Sequence, residues 1–277
     1  MSALNLAAGA NPIFLTGNLL NRYADQAGDL GLSAGVALRY RLYDMDPAAL
    51  WQGENADDGI TETVTSGLWL PGMQSSMSVD FLAVLNHNLL AFDWDLSNDN
   101  GATYPGGNQQ LATALASANK IFSLSSPISA DKVRLTLRGT QTPNQLKQVG
   151  AIVVAQARLQ APIGMALFKK HPPRVKDKSA KMHDNSTRRS YVYRSDASLA
   201  FHDFSVGFKG LSSSEADSME AILLSDQPFI FYPQPGEYPA RMYLGQAVPN
   251  TYTRDYMSMT TSGGESISFD FEEAGGA

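Results

Sequence analysis

His87 stands between two asparagines, and aspartates follow it at 93, 95 and 99, in the stretch FLAVLNHNLLAFDWDLSNDNG (81–101). Imidazole and carboxylate are the groups that hold Zn²⁺ or Ca²⁺ and that move protons in catalysis. A histidine ligand needs partners at metal spacing, and the next histidine along the chain is His171. Asp95, Ser97 and Asp99 echo the oxygen spacing of a calcium loop. The glycine arrives one place late, at Gly101, and no glutamate closes the loop. Asn86, Asn88 and the Asn100-Gly101 pair are turn formers that tolerate left-handed backbone, so two turns account for the same residues without an ion.

The other chemistry-bearing residues are weaker. His171 and His183 are twelve apart in a polar segment, and His202 alternates with aromatics as a half-exposed strand residue would. Glu215 with Asp217, and Glu272 with Glu273, have the spacing of ordinary surface acids. No His-Glu-x-x-His and no phosphate-binding glycine loop occurs. The expectation is a chain with no catalytic residue, no metal and no cofactor.

The elements around these residues are short strands. With 277 residues, 43% hydrophobic and 17% charged, the chain is rich enough in apolar side chains for packed cores. Twenty-three glycines and fourteen prolines call for many turns. There is no cysteine, hence no disulfide and no thiolate site. The amino terminus lacks a basic signal-peptide start, and no apolar run reaches the ~20 residues of a membrane span. The expected product is made and assembled in the cytoplasm with no membrane partner.

In the first half, SVDFLAVL (78–85), LLAFDWDL (89–96), KVRLTLRG (132–139) and VGAIVVAQARL (149–159) read as strands. In KVRLTLR, Val133, Leu135 and Leu137 alternate with Lys132, Arg134, Thr136 and Arg138. QLATALASANKI (110–121) predicts a short helix. In the second half, Ser212 and Glu215 form a capping-box pattern ahead of an apolar stripe of Ala216, Met219, Ile222 and Leu223, which predicts a helix over about 212–225. PFIFYP (228–233), ARMYLGQAV, YTRDYMSM and ESISFDFEE follow as strands.

Charge separates the halves. From Lys169 to Arg194 there are nine basic residues and two acids, a stretch of +7 against −13 for the remainder. A basic strap on an acidic body attracts copies of itself or another polyanion. Nucleic acid is disfavoured, because the strap has no aromatic residue until Tyr191 and Tyr193 and the body repels phosphate. The expected organisation is residues 1–160 as a β-sandwich, 161–195 as a basic linker or arm, and 196–277 as a second β-domain with one helix.

Two pieces resemble a known family. VDFLAVLNHNLL, followed by DKVRLTLRGTQTPNQLKQVGAIVVAQA, with DPAALWQGEN (46–55) upstream, is similar to a pattern in tailed-bacteriophage structural proteins that forms a galactose-binding-like, discoidin-type sandwich. DFSVGFKGLSSSEADSMEAILLSDQPFIFYPQPGEYPARMYLGQAV resembles the tail-tube and distal-tail type half of tail-tip and minor tail proteins. In distal tail proteins the tube-like domain comes first; here the order is reversed. The resemblance implies a mainly β fold of two sandwich-like domains and a virion tail protein. It would form a homo-oligomeric ring, sixfold or threefold, near the distal tip, with tail tube, tape measure or hub as neighbours. Arg188, Arg189, Tyr191, Tyr193 and Arg194 are the expected subunit interface, the tyrosines as anchors and the arginines pairing with a neighbour's carboxylates. The alternative is a carbohydrate-binding module on a virion or cell surface, with Asn98, Asn100, Tyr104 and Asn108 as a glycan-binding loop, an aromatic platform among polar hydrogen-bonders.

Overall fold

The computed structural model describes residues 4–20, 31–32, 41–43, 50–68, 76–104, 110–170, 176–177, 180–181, 187–188, 191–192, 203–225, 227–256 and 264–273. The protein is mainly β, with one described α-helix. The chain divides into two compact units: 1–161 with 229–244 and 276–277, and 162–228 with 245–275.

The first unit is built in layers. Its outer layer is an antiparallel five-stranded sheet in the order Gly31–Leu32, Glu62–Gly67, Lys132–Thr140, Leu89–Ser97 and Gln110–Ala112. Phe92, Trp94 and Leu96 face inward from one strand and Val133, Leu135 and Leu137 from its partner, as alternation requires. The middle layer is the three-stranded sheet Ala151–Ala155, Met77–Leu85, Lys120–Ala130. Val79, Leu82, Val84, Ile152 and Val154 pack toward the outer sheet. Phe81, Ala83, Leu85, Ala151, Val153 and Ala155 pack the opposite way, against Ile13, Leu15, Ile230, Tyr232 and Met242. Both faces of this sheet are therefore buried, which is why FLAVL and AIVVA read as unbroken apolar runs.

The third layer joins distant parts of the sequence. Ile13–Thr16 pairs with Ala157–Gln160 on one side and with Phe229–Tyr232 on the other. The strand PFIFYP, which the sequence places in a domain spanning 196–277, thus belongs with the first unit, as do all residues of 229–244. Gly236, at φ +78°, fits this return because a Cβ there would come within 2.4 Å of the Leu6 carbonyl oxygen.

Two further expectations change. The predicted helix over 110–121 is instead the strand Gln110–Ala112, an irregular turn, and the start of Lys120–Ala130. Ala114 has φ +50°, and the Ser117 hydroxyl donates to the Asn119 carbonyl and accepts from the Asn119 N–H, so side-chain hydrogen bonds displace the helical ladder there. The run 149–159 is three strands, not one. It breaks at Gly150 and Gln156, giving Gln148–Val149, Ala151–Ala155 and Ala157–Gln160 three different partners.

In the second unit, Asp203–Leu211 lies between Leu167–Lys170 and Glu265–Glu273, and Thr253–Tyr256 pairs with the far half of Glu265–Glu273. Phe204, Val206 and Phe208 sit opposite Phe271, Phe269 and Ile267, all buried. The helix Ser213–Leu223 packs on Glu265–Glu273 and buries Ala216, Met219, Ile222 and Leu223, as its stripe predicts. Its cap is reciprocal: the Glu215 N–H donates to Ser212 Oγ while the Ser212 N–H donates to the Glu215 carboxylate.

Eight described residues of the basic stretch pair among themselves as a short two-stranded ribbon. Lys176–Asp177 is antiparallel to Tyr191–Val192, and Ala180–Lys181 to Thr187–Arg188. The described residues on either side, Lys170 and Asp203, belong to adjacent strands of the sheet, Leu167–Lys170 and Asp203–Leu211. Among the described residues, no helix is long and apolar enough to cross a membrane.

Candidate functional site

His87 lies in the turn between Met77–Leu85 and Leu89–Ser97. Asn86 takes φ +49°, and the His87 N–H donates to the Ala118 carbonyl at 2.8 Å. Asn88 clamps a neighbouring loop, its amide donating to the Leu146 carbonyl and accepting from the Gln148 N–H. The imidazole is buried; Nδ1 accepts the Leu89 N–H at 3.2 Å, and the ring stands edge-on to Phe92. Burial pushes the imidazole down to about 4, so it is neutral at pH 7. Nε2 is buried with no hydrogen-bond partner, and a neutral ring with Nδ1 as acceptor carries its proton there. His87 is a turn residue.

The aspartates are committed in the same way. Asp99 accepts from Ser97 Oγ, from the Thr103 N–H and from Thr103 Oγ1, and these bonds hold its carboxyl down to about 2. Asn100 and Gly101, at φ +58° and +80°, form the turn. Asp95 Oδ2 receives Nε and a terminal nitrogen of Arg134 at 3.0 and 2.9 Å. Asp93 Oδ2 receives Nε of Arg138 at 2.7 Å, while its Oδ1 is buried with no partner. Among the described residues, no group of three or more His, Cys, Asp or Glu is placed to hold a metal ion.

These cross-strand pairs form a polar strip on the outer face of the five-stranded sheet. Tyr104 closes one end, its ring 4.0 Å from the Arg134 guanidinium carbon. Of the glycan-loop residues expected from sequence, Tyr104 is half-buried on this strip. Asn98 and Asn100 are exposed at the turn, the Asn100 N–H donating to Asp131, and Asn108 lies outside the described residues. The structure adds Arg134, which sequence reading places on the right face but cannot join to an aromatic thirty positions away. A separate shallow cavity of about 340 Å³ is lined by Asn5, Gly9, Ala10, Asn11, Gln160 and Ala161.

Of the expected interface residues, Arg188 and Tyr191 fall on the paired backbone of the ribbon. Arg189, Tyr193 and Arg194 lie outside the described residues, as do His171, His183 and His202. Glu215 is used by the helix cap. Gly31-Leu32-Ser33-Ala34-Gly35 has the Gly-x-Ser-x-Gly spacing, against the sequence reading that no such elbow occurs. Gly31–Leu32 is antiparallel to Glu62–Gly67, and Ser33 lies outside the described residues.

In the second unit, Arg254 is the hub of a charge network. Its Nε donates to Glu265, and a terminal nitrogen contacts Glu220 at 2.6 Å and Asp217 at 2.8 Å. Ser213 Oγ donates to the other oxygen of Glu265 at 2.6 Å. Arg254, and after it Ser213, hold the Glu265 carboxyl below its usual range.

The sequence matches no protein-family model and no curated protein. Solved structures do share likeness with it. The family 32 carbohydrate-binding module of Clostridium perfringens NanJ, in complex with galactose, is 12% identical, with 52% of this chain and 99% of that chain covered and a TM-score of 0.37. Chitosan-binding module 1 of the Paenibacillus sp. IK-5 chitosanase/glucanase is 15% identical, with 50% and 97% covered and a TM-score of 0.39. A Streptococcus pneumoniae fucose binding module is 14% identical, with 54% and 96% covered and a TM-score of 0.31. Likeness this distant leaves ligands and residue roles to be argued from this chain's own side chains.

Proposed function

We propose that this protein is a non-catalytic structural component of a long-tailed phage virion, forming a homo-oligomeric ring in the tail near its distal tip. The observation that carries the reading is the basic ribbon. A two-stranded hairpin is marginal in water by itself, and the described pairings of this one lie within a stretch of +7 on a chain otherwise at −13. Such an arm gains its stability and its purpose by lying on an acidic partner surface. A ring supplies that surface from an identical neighbour through unlike, head-to-tail contacts. Tail tube, tape measure or hub proteins are then its other neighbours, and the virion its location. Native mass spectrometry and negative-stain microscopy of the full chain test this. Closed rings of six or three subunits support it; a strict monomer at tens of micromolar overturns it.

One observation favours a second reading, saccharide binding by the first unit. Tyr104 and Arg134 present an aromatic ring beside hydrogen-bonding groups at the end of a polar strip, the combination by which sugars are held. A glycan array probed with the full chain and with Tyr104→Ala decides it. The reading requires a glycan bound by the first and lost in the second.

A further inference from the structure

The ring reading leaves open what the basic arm grips, and the second unit carries a surface for it at the end of the sheet away from the arm's points of attachment. The chain leaves the sheet at Lys170 and re-enters at Asp203, beside the Phe204 and Phe271 rung. The other end of the same strand is Leu211, which pairs with Glu265, about 26 Å away at ~3.3 Å per residue. Among the described residues, Glu215, Asp217, Glu220, Asp255 and Glu265 lie at that far end with Arg254 and Lys209, and Arg254 already serves three of the carboxylates.

This end also offers what an interface needs besides charge. Thr253–Tyr256 pairs with Glu265–Glu273 on one side only among the described residues, so its outer edge is open to a further strand. Tyr256 on that strand is 77% exposed, and Leu224, one turn beyond Glu220 on the helix side, is 61% exposed. Asp217 beside them has a side chain 67% exposed. Exposed aromatic and aliphatic groups rimmed by carboxylates are the complement of a basic strand.

We propose that the outer edge of Thr253–Tyr256, with Tyr256, Asp217 and Asp255 around it, is the acceptor for the basic ribbon of a second copy of this chain. The inference rests on the ring reading and deepens it by naming both halves of the contact. With the arm attached at one end of the sheet and the acceptor at the other, each copy presents two unlike surfaces, and such contacts are head-to-tail, the geometry from which rings close. Strand addition sets the register, and opposite charge steers the approach.

The chain has no cysteine, so single cysteines report the contact cleanly. A chain carrying Tyr256→Cys is mixed with a size-tagged chain carrying Thr187→Cys and oxidised mildly. A mixed disulfide dimer can form only between two copies. The expected result is that this mixed product dominates, and that adding Asp217→Lys and Asp255→Lys to the Tyr256→Cys chain lowers its yield at least about tenfold, since like charges now meet. Melting curves confirm that the substitutions leave the fold intact, and Asp217→Asn with Asp255→Asn gives an intermediate yield. If the chain forms oligomers by native mass spectrometry yet the mixed disulfide stays at the level of a scrambled-site control, the acceptor is elsewhere and only this inference falls. If no oligomer forms, the ring reading falls and takes this inference with it.

Discussion

The Nδ1 of His87 accepts the backbone N–H of Leu89 at 3.2 Å, so the imidazole acts as part of the turn's backbone. With its ring buried against Phe92 and its proton affinity lowered to about 4, the neutral form is the folded form. The unfolded chain binds a proton near the ordinary value of about 6.5. Between those values the unfolded state holds more protons, so the contribution of His87 to stability is complete above pH 6.5 and is lost as pH falls toward 4. Its size is up to about 3 kcal/mol. His87→Asn keeps an acceptor able to reach the same N–H. The expected outcome is a lower but flatter stability across pH 4 to 7, measured by urea unfolding. A slope unchanged from the parent chain would mean that another group sets it.

Cation removal should do little. The oxygens of Asp95 and Asp99 already receive Arg134, Ser97 and Thr103, so a metal would have to displace those donors. A ligand that binds only the folded state must raise its melting temperature. Excess chelator is expected to shift that temperature by less than about 1 °C. A fall of many degrees would show a resident ion.

The parts of this fold that were legible in the sequence are those where one face is wet. KVRLTLR alternates because Val133, Leu135 and Leu137 face the core while Arg134 and Arg138 face out. Ser212 and Glu215 announced the helix because the cap is local chemistry. FLAVL and AIVVA gave no face, since both of theirs are buried. The placement of Phe229–Tyr232 was hidden for a different reason. Its partner, Ile13–Thr16, is more than two hundred residues earlier, and no local signal encodes such a pairing. The contact of Tyr104 with Arg134 was hidden likewise, although each residue was visible alone.

The two arginine–aspartate pairs on the outer sheet differ in a way that mutation can read. The Asp95 side chain is 11% exposed and that of Asp93 is 4% exposed, with one Asp93 oxygen already unpartnered. Removing a guanidinium strands the carboxylate behind it, and the cost grows with burial. Arg138→Met is therefore expected to destabilise the first unit more than Arg134→Met, by roughly 1 kcal/mol or more in chemical denaturation, after allowing for the half-exposed arginines. Equal losses would argue that solvent compensates both carboxylates alike.

The helix cap predicts a loss confined to the second unit. Ser212→Ala removes an acceptor from the Glu215 N–H and should cost about 1 kcal/mol. Ser212→Asp, which can cap the same N–H, should restore most of it. Thermal unfolding followed by helix signal distinguishes the two, and an Asp variant as weak as the Ala variant would remove the cap from the explanation.

Reversing charge on the arm tests assembly. Arg188 lies on the ribbon's paired backbone, and Arg189 and Arg194 flank Tyr191 in the sequence. Changing all three to glutamate turns the +7 stretch into one of +1 and sets like charges against any acidic acceptor. Each buried or close charge pair that becomes a like pair costs several kcal/mol of association, enough to dissolve a contact of ordinary affinity. The monomer should keep its melting temperature, because an arm that stabilises itself little has little to lose. Oligomers should disappear from native mass spectra of the triple variant. Raising salt should weaken the parent assembly in the same direction, since exposed charges are screened within about 8 Å at physiological ionic strength. A triple variant that assembles like the parent would show that the basic arm is a tether between strands and takes no part in the ring.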